Sequence, residues 1–244
     1  MKPLSADAYS LRFLESILKE FNNEKSVVVT YNGKCFDSQI LKTRCLMNGI
    51  KPPDYHHVDL LHPARRLWKK IIQDCSQASI ETKILGIDRS GDIPGSLAPD
   101  IWFEFLKTGR TEKLTGICDH NVADITGLAS ILSAIISIAS DPFNTNHNYD
   151  IEKIALKWRY FLRKQDSTLM NNDLLETGNK LMLYAAEKDY PRAVYVYIYD
   201  QMRLGNYSTA LEFVNRGLNL YEKDSIWHKK LKRRKERLEK IINK

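Results

Sequence analysis

Residues 26 to 60 set the strictest limit on how this chain can fold. Val27-Val28-Val29-Thr30 is a short β-branched run, the composition of a strand. Tyr31-Asn32-Gly33 follows at once and marks a turn. A helix is expected over 36–48, with Gly49 and Pro52-Pro53 separating it from a second short strand at 55–60. Two strands joined through one helix run parallel. Such a unit commits the chain to an α/β arrangement and presents Asp37 just past the end of the first strand.

Helical periodicity covers most of the remainder. Leu11, Leu14, Ile17, Leu18 and Phe21 predict a helix over 6–22. Further helices are expected at 61–73, with Pro63 in the first turn, and at 76–86, ended by Gly86. Arg89 to Gly95 reads as a loop, followed by helices at 99–108 and 120–139. The polar stretch Asp141 to Asn148 is the best boundary, which divides the chain into a domain over 1–145 and a helical region over 146–244. The alternation of Tyr195, Tyr197 and Tyr199 imitates a strand, but its surroundings are helical, and a helix is expected there.

Composition narrows the class. The 244 residues are 43% hydrophobic and 27% charged, ordinary for a soluble globular protein. Four scattered cysteines form no C-x-x-C pair, and the N-terminus shows no charged-then-apolar signal pattern, which together predict reduced thiols and a cytoplasmic protein. The uncharged run from Ile125 to Ser140 falls short of the ~20 apolar residues of a membrane span, so a core helix packed on the sheet, and no membrane, is the expectation. Net charge is +7, but residues 1–150 hold 17 basic and 18 acidic side chains while 151–244 hold 20 and 12. Most of the excess sits in the last helix, 226–244, and points to an anionic partner such as nucleic acid. The alternative is a solvated basic helix.

Two acid-bearing motifs carry chemistry. Tyr31-Asn32-Gly33-Lys34-Cys35-Phe36-Asp37 ends the first strand, and His120-Asn121-Val122-Ala123-Asp124 precedes an apolar helix. His120 and Asp124, four apart, share one face of a helical turn. Carboxylates suit Mg²⁺ or Mn²⁺, and a neutral imidazole can take a proton from an attacking water. These motifs resemble the second and third motifs of the DEDD-type 3′–5′ exonucleases of the ribonuclease-H-like superfamily, specifically the YprB-like group. His57-Val58-Asp59-Leu60-Leu61 through Trp68, Leu85-Gly86-Ile87 and Asp92-Ile93-Pro94-Gly95 are similar to further stretches of that group. The resemblance covers roughly residues 6 to 138.

What the resemblance implies follows. Asp37 and Asp124 are the expected metal-site carboxylates for a pair of Mg²⁺ or Mn²⁺ ions, and His120 the expected general base. The family's first motif, Asp-x-Glu on a leading strand, has no counterpart ahead of Tyr31. The implied fold is a partial ribonuclease-H-like domain lacking its first three strands, with an exposed strand edge that a protein partner or second copy would cover. The implied activity is phosphodiester hydrolysis on single-stranded RNA or DNA, absent or weak here because two carboxylates hold a metal pair poorly. The alternative is a non-catalytic module binding protein and nucleic acid.

Other residues have two readings each. Asp37 could instead cap the following helix, and Asp124 could lie on a solvated face. Asn32 and Asn121 are candidates for nucleic-acid contact but suit backbone turns better. Arg65, Arg66 and Trp68 could meet a nucleic-acid backbone and stack a base, or form an exposed basic face over a buried Trp. Asp59 suits a cap for the next helix. His56, His57 and His62 form no zinc spacing. In the second half, Gly205-Asn206-Tyr207 with Ala210, Phe213, Gly217 and Leu218, and the weaker echo Lys188-Asp189-Tyr190 with Ala193, are similar to part of a tetratricopeptide repeat, implying an all-α tail of paired helices.

Overall fold

The computed structural model describes residues 6–21, 27–164 and 172–243. They form two compact units, Met1–Asn148 and Tyr149–Lys244.

In the first unit, helix α1 (Ala6–Glu20) precedes strand β1 (Val27–Thr30), helix α2 (Asp37–Met47) and strand β2 (His56–Asp59). The strands pair in parallel with Val27 opposite His56 and Thr30 opposite Asp59, as a strand–helix–strand unit requires. Leu60 N–H extends the ladder by donating to the Thr30 carbonyl at 2.8 Å. Among the described residues these two strands are the whole sheet.

Helix α3 (Leu61–Ile72) shows why the sequence folds this way locally. Leu61, Ala64, Leu67 and Trp68 recur at helical spacing and are all buried, while Arg65, Arg66, Lys69 and Lys70 face solvent. Trp68 is fully buried and its indole N–H donates to the Asn148 carbonyl at 3.1 Å. It therefore presents no face for a base to stack on. Helix α4 (Gln77–Lys83) is capped by Ser76, whose hydroxyl accepts from Ser79 N–H. A 3₁₀ turn at Gly95–Leu97 leads into α5 (Ala98–Thr108) and then α6 (Leu114–Ser140).

Helix α6 departs from expectation in two ways. It begins at Leu114, six residues earlier than 120, with Gly116 inside its first turn. With 27 residues it is long and apolar enough to cross a membrane by length and composition, so the shorter uncharged run understated it. Gly127, Ile131, Ala134 and Ile138 form its buried stripe. Val122, Ile125 and Ile136 remain exposed, and its main neighbours are α4 and α5, so it is not a fully enclosed core helix.

Among the described residues the second unit has five helices: α7 (Ile151–Lys164), α8 (Asn172–Glu187), α9 (Pro191–Arg203), α10 (Tyr207–Leu220) and α11 (Ile226–Ile242). Each packs on the next in the chain, and α9 also touches α7 and α11. Small residues let the helices approach. Ala155, Ala185, Ala193 and Ala210 are fully buried, and a Cβ on Gly178 or Gly217 would fall 2.4 Å from Leu162 or 2.5 Å from Leu231. Glu152 of α7 accepts from the N–H groups of Arg192 and Ala193 at 3.1 and 3.3 Å, satisfying otherwise free donors at the start of α9. The tyrosine alternation is helical, as expected: Tyr197 packs edge-on against Phe213, whereas Tyr195 and Tyr199 lie one turn apart on another face.

Candidate functional site

The turn after β1 is held by a buried carboxylate. Asp59, 7% exposed, accepts hydrogen bonds from Asn32 N–H (2.8 Å), Lys34 N–H (3.0 Å) and Leu61 N–H (3.1 Å). Burial alone would raise its pKa; the three backbone donors outweigh that and hold it below the usual carboxylate value. One side chain thus anchors both the turn and the start of α3. Asn32 adopts φ +64°, a left-handed conformation Asn tolerates. At Gly33 a Cβ would lie 2.5 Å from the Thr30 side chain, so the Asn-Gly pair is a steric requirement. Asp37 then falls in the first turn of α2, exposed, where its charge complements the helix dipole. Phe36, not Asp37, occupies the cap position, and no partner to the Asp37 carboxylate is found among the described residues.

The second motif is built into an ion-pair cluster around Arg89. Its guanidinium is 9% exposed and pairs with Glu81 Oε2 (2.6 Å), Asp92 and Asp124 Oδ1 (2.7 Å). Burial works against the Arg89 charge, but the bonds to Asp92, Asp124 and Glu81 overcome it and raise the pKa above its ordinary value. His120 completes the group. Its Nδ1 lies 2.7 Å from Asp92 Oδ1, and its Nε2 lies 3.4 Å from Asp124 Oδ2. Arg89 first, opposed by burial and helped by His120, keeps the Asp92 pKa low. His120 thus stands between two carboxylates, with Nδ1 against Asp92 and Nε2 facing Asp124. Gly95 closes over this ring, since a Cβ there would be 3.0 Å from Nε2.

A groove of about 400 Å³ runs from the turn after β1 along α3 to the start of α4, lined by Tyr31, Asn32, Arg65, Lys69, Asp74 and Gln77 among others. Gln77 joins it to the cluster by donating to the Asp124 carbonyl at 2.6 Å and to Glu81 Oε1 at 2.8 Å. Arg65 and Lys69, one turn apart on α3, give the groove a positive wall. Arg66 is exposed on α3 but does not line it. Asn121 is exposed in the body of α6, so it fixes no turn.

The family model described as RNase_H superfamily matches residues 4–136, more than half of the chain. The chain belongs to the RNase H superfamily. The Uncharacterized protein YprB of Bacillus subtilis (strain 168) is 44% identical over 107 residues, covering 43% of this chain and 26% of that relative. The chain thus spans about a quarter of that relative's length. No solved structure matches.

RNase H-like proteins generally use divalent metals, and the residues here do not fit one. Among the described residues no group of three or more His, Cys, Asp or Glu side chains is arranged to hold a metal ion. Asp124 already serves Arg89, while Asp37 stands exposed without a partner. The RNase H-like chain thus brings His120 and Asp124 together through Asp92 and Arg89, with Asp37 outside that cluster's hydrogen bonds. Glu81, Arg89 and Asp92 escaped sequence reasoning as site residues. Arg89 and Asp92, three apart in a loop, were the available signal; Glu81 lies in a helix where an acid ordinarily faces water.

Proposed function

We propose that this RNase H-like chain binds single-stranded nucleic acid, descends from DEDD-type 3′–5′ exonucleases, and does not hydrolyse phosphodiester bonds as it stands. The single observation behind this is the commitment of Asp124 to Arg89. An Oδ1 held 2.7 Å from a guanidinium is partly neutralised and fixed in place by an arginine that also serves fully buried Glu81, which weakens the pull of Asp124 on a divalent cation. In this proposal the groove by Arg65 and Lys69 receives the sugar–phosphate backbone, and Asn32 lines the same groove from the turn after β1. The helical tail is a tetratricopeptide-like stack, supported by the small residues at its helix contacts.

The test is incubation of the full chain with Mn²⁺ and end-labelled single-stranded RNA or DNA. The expected outcome is binding without shortening. Metal-dependent trimming from the 3′ end that Asp124→Ala abolishes would overturn the proposal.

A further inference from the structure

The second unit carries a ladder in which cations and aromatic rings alternate across three helices. Arg163 of α7 lies 5.5 Å from the Tyr199 ring centroid, and Arg234 of α11 lies 5.5 Å from the same ring. Arg234 also sits 4.6 Å from Tyr195. Lys230 follows, 5.7 Å from Tyr195 and 4.6 Å from Trp227. The series therefore runs Arg163, Tyr199, Arg234, Tyr195, Lys230, Trp227. Each helix contributes through one-turn spacing: Tyr195 with Tyr199 on α9, and Lys230 with Arg234 on α11.

Charge on this ladder is unbalanced. Asp200 pairs with Arg163 at 2.9 Å and with Arg159 at 2.7 Å. Neither Lys230 nor Arg234 has a carboxylate partner among the described residues. Arg234 Nη1 is directed at Met202 Sδ at 3.8 Å, and the guanidinium's other N–H donors have no hydrogen-bond partner among the described residues, which leaves them for phosphate oxygens. The rings restrict the cations, so less side-chain freedom is lost when an anion arrives. Tyr199 remains 39% exposed and Tyr195 and Trp227 partly so.

We propose that this ladder is a binding surface for single-stranded nucleic acid, with phosphates on Arg234 and Lys230 and unstacked bases against Tyr195, Tyr199 and Trp227. Interleaved basic and aromatic groups match a strand that offers an anion and a π-face at every step. An acidic peptide would use only the cations, and a duplex would withhold its bases. The inference rests on the proposal that the chain handles nucleic acid, and it adds a contact on α9 and α11 to the one proposed for the groove of the first unit.

Fluorescence anisotropy of labelled oligo-dT and oligo-U with the full chain in EDTA tests it. Tyr199→Leu, which leaves the net charge unchanged, is expected to weaken binding at least about fivefold. Arg234→Gln lowers affinity and reduces the slope of log K against log salt by about 0.7. Lys230→Gln, which leaves the rings in place, shows a loss like that of Arg234→Gln even where Tyr199→Leu disturbs the fold. Lys232→Gln, exposed on α11 and off the ladder, is the charge-matched control and changes affinity little. Strand binding that is insensitive to the three ladder variants, or equally sensitive to Lys232→Gln, overturns the ladder and leaves the nucleic-acid proposal standing. No strand binding even at low salt overturns both. Displacement of the strand by poly-glutamate as readily as by unlabelled oligo-dT would assign the surface to acidic protein segments instead.

Discussion

Gly127→Ala tests how tightly α6 is locked onto α4. In an exposed helix this substitution stabilises by about 1 kcal/mol, the difference in helix propensity. Here the new Cβ would sit 1.7 Å from Glu81 Oε1 and 2.3 Å from its Cδ. To reach ordinary contact the carboxylate must retreat by roughly 1.5 Å. It has nowhere free to go: Glu81 is fully buried, bonded to Arg89 at 2.6 Å and to Gln77 at 2.8 Å. Overpacking costs about 1–3 kcal/mol, and disrupting a buried charge pair about 3–5 kcal/mol. With part of each incurred and the propensity gain subtracted, Gly127→Ala is expected to destabilise by about 2–3 kcal/mol. Urea denaturation followed by circular dichroism measures this as a lower midpoint. Gly116→Ala is the internal control in the same helix, because its Cβ would meet Ile93 at an ordinary 3.5 Å; it should be neutral or slightly stabilising. Equal midpoints for the two variants, or a Gly127→Ala protein as stable as the parent, would refute the proposed lock.

Replacing Arg89 by Met strands buried Glu81 without a counter-charge and should cost about 3–5 kcal/mol; adding Glu81→Gln to that variant should recover a large part, read from the same urea midpoints. Asp59 predicts a pH dependence. Its folded pKa lies below the ordinary 3.8, so its contribution is complete above that value and is lost as pH falls through the lower folded one. Asp59→Asn should lose about 2 kcal/mol at neutral pH, since Lys34 N–H gives up its charged acceptor. The deficit relative to the parent should shrink from about pH 5 downward; a deficit that stays constant down to pH 2 would rule out the carboxylate as the anchor.

Much of the first unit was legible because local signals agreed. The valine run, the Asn-Gly turn and the Gly and Pro residues before His56 each had one reading, and β1, α2 and β2 lie within about two residues of expectation. The buried stripe of α3 was equally plain in Leu61, Ala64, Leu67 and Trp68. The beginning of α6 was not legible, because the turns from Leu114 to Asp119 precede the apolar run from Ile125 that marked the helix. The Arg89 cluster joins residues separated by as much as 43 positions, Glu81 to Asp124, and no periodicity links a loop arginine to acids on two helices. The ladder was visible only as fragments: a tyrosine alternation and a basic last helix. Their meeting depends on how α7, α9 and α11 pack, which neither fragment encodes alone.

The Trp68 contact sets a practical limit on dissecting this molecule. Its indole hydrogen reaches the carbonyl of Asn148 at 3.1 Å, three residues beyond the polar boundary expected at 145. A fragment ended there would remove the acceptor of a donor buried in the full chain, at a penalty of about 1–3 kcal/mol. The nuclease-like half, expressed alone, should keep Asn148; cut shorter, it would misreport its own sturdiness.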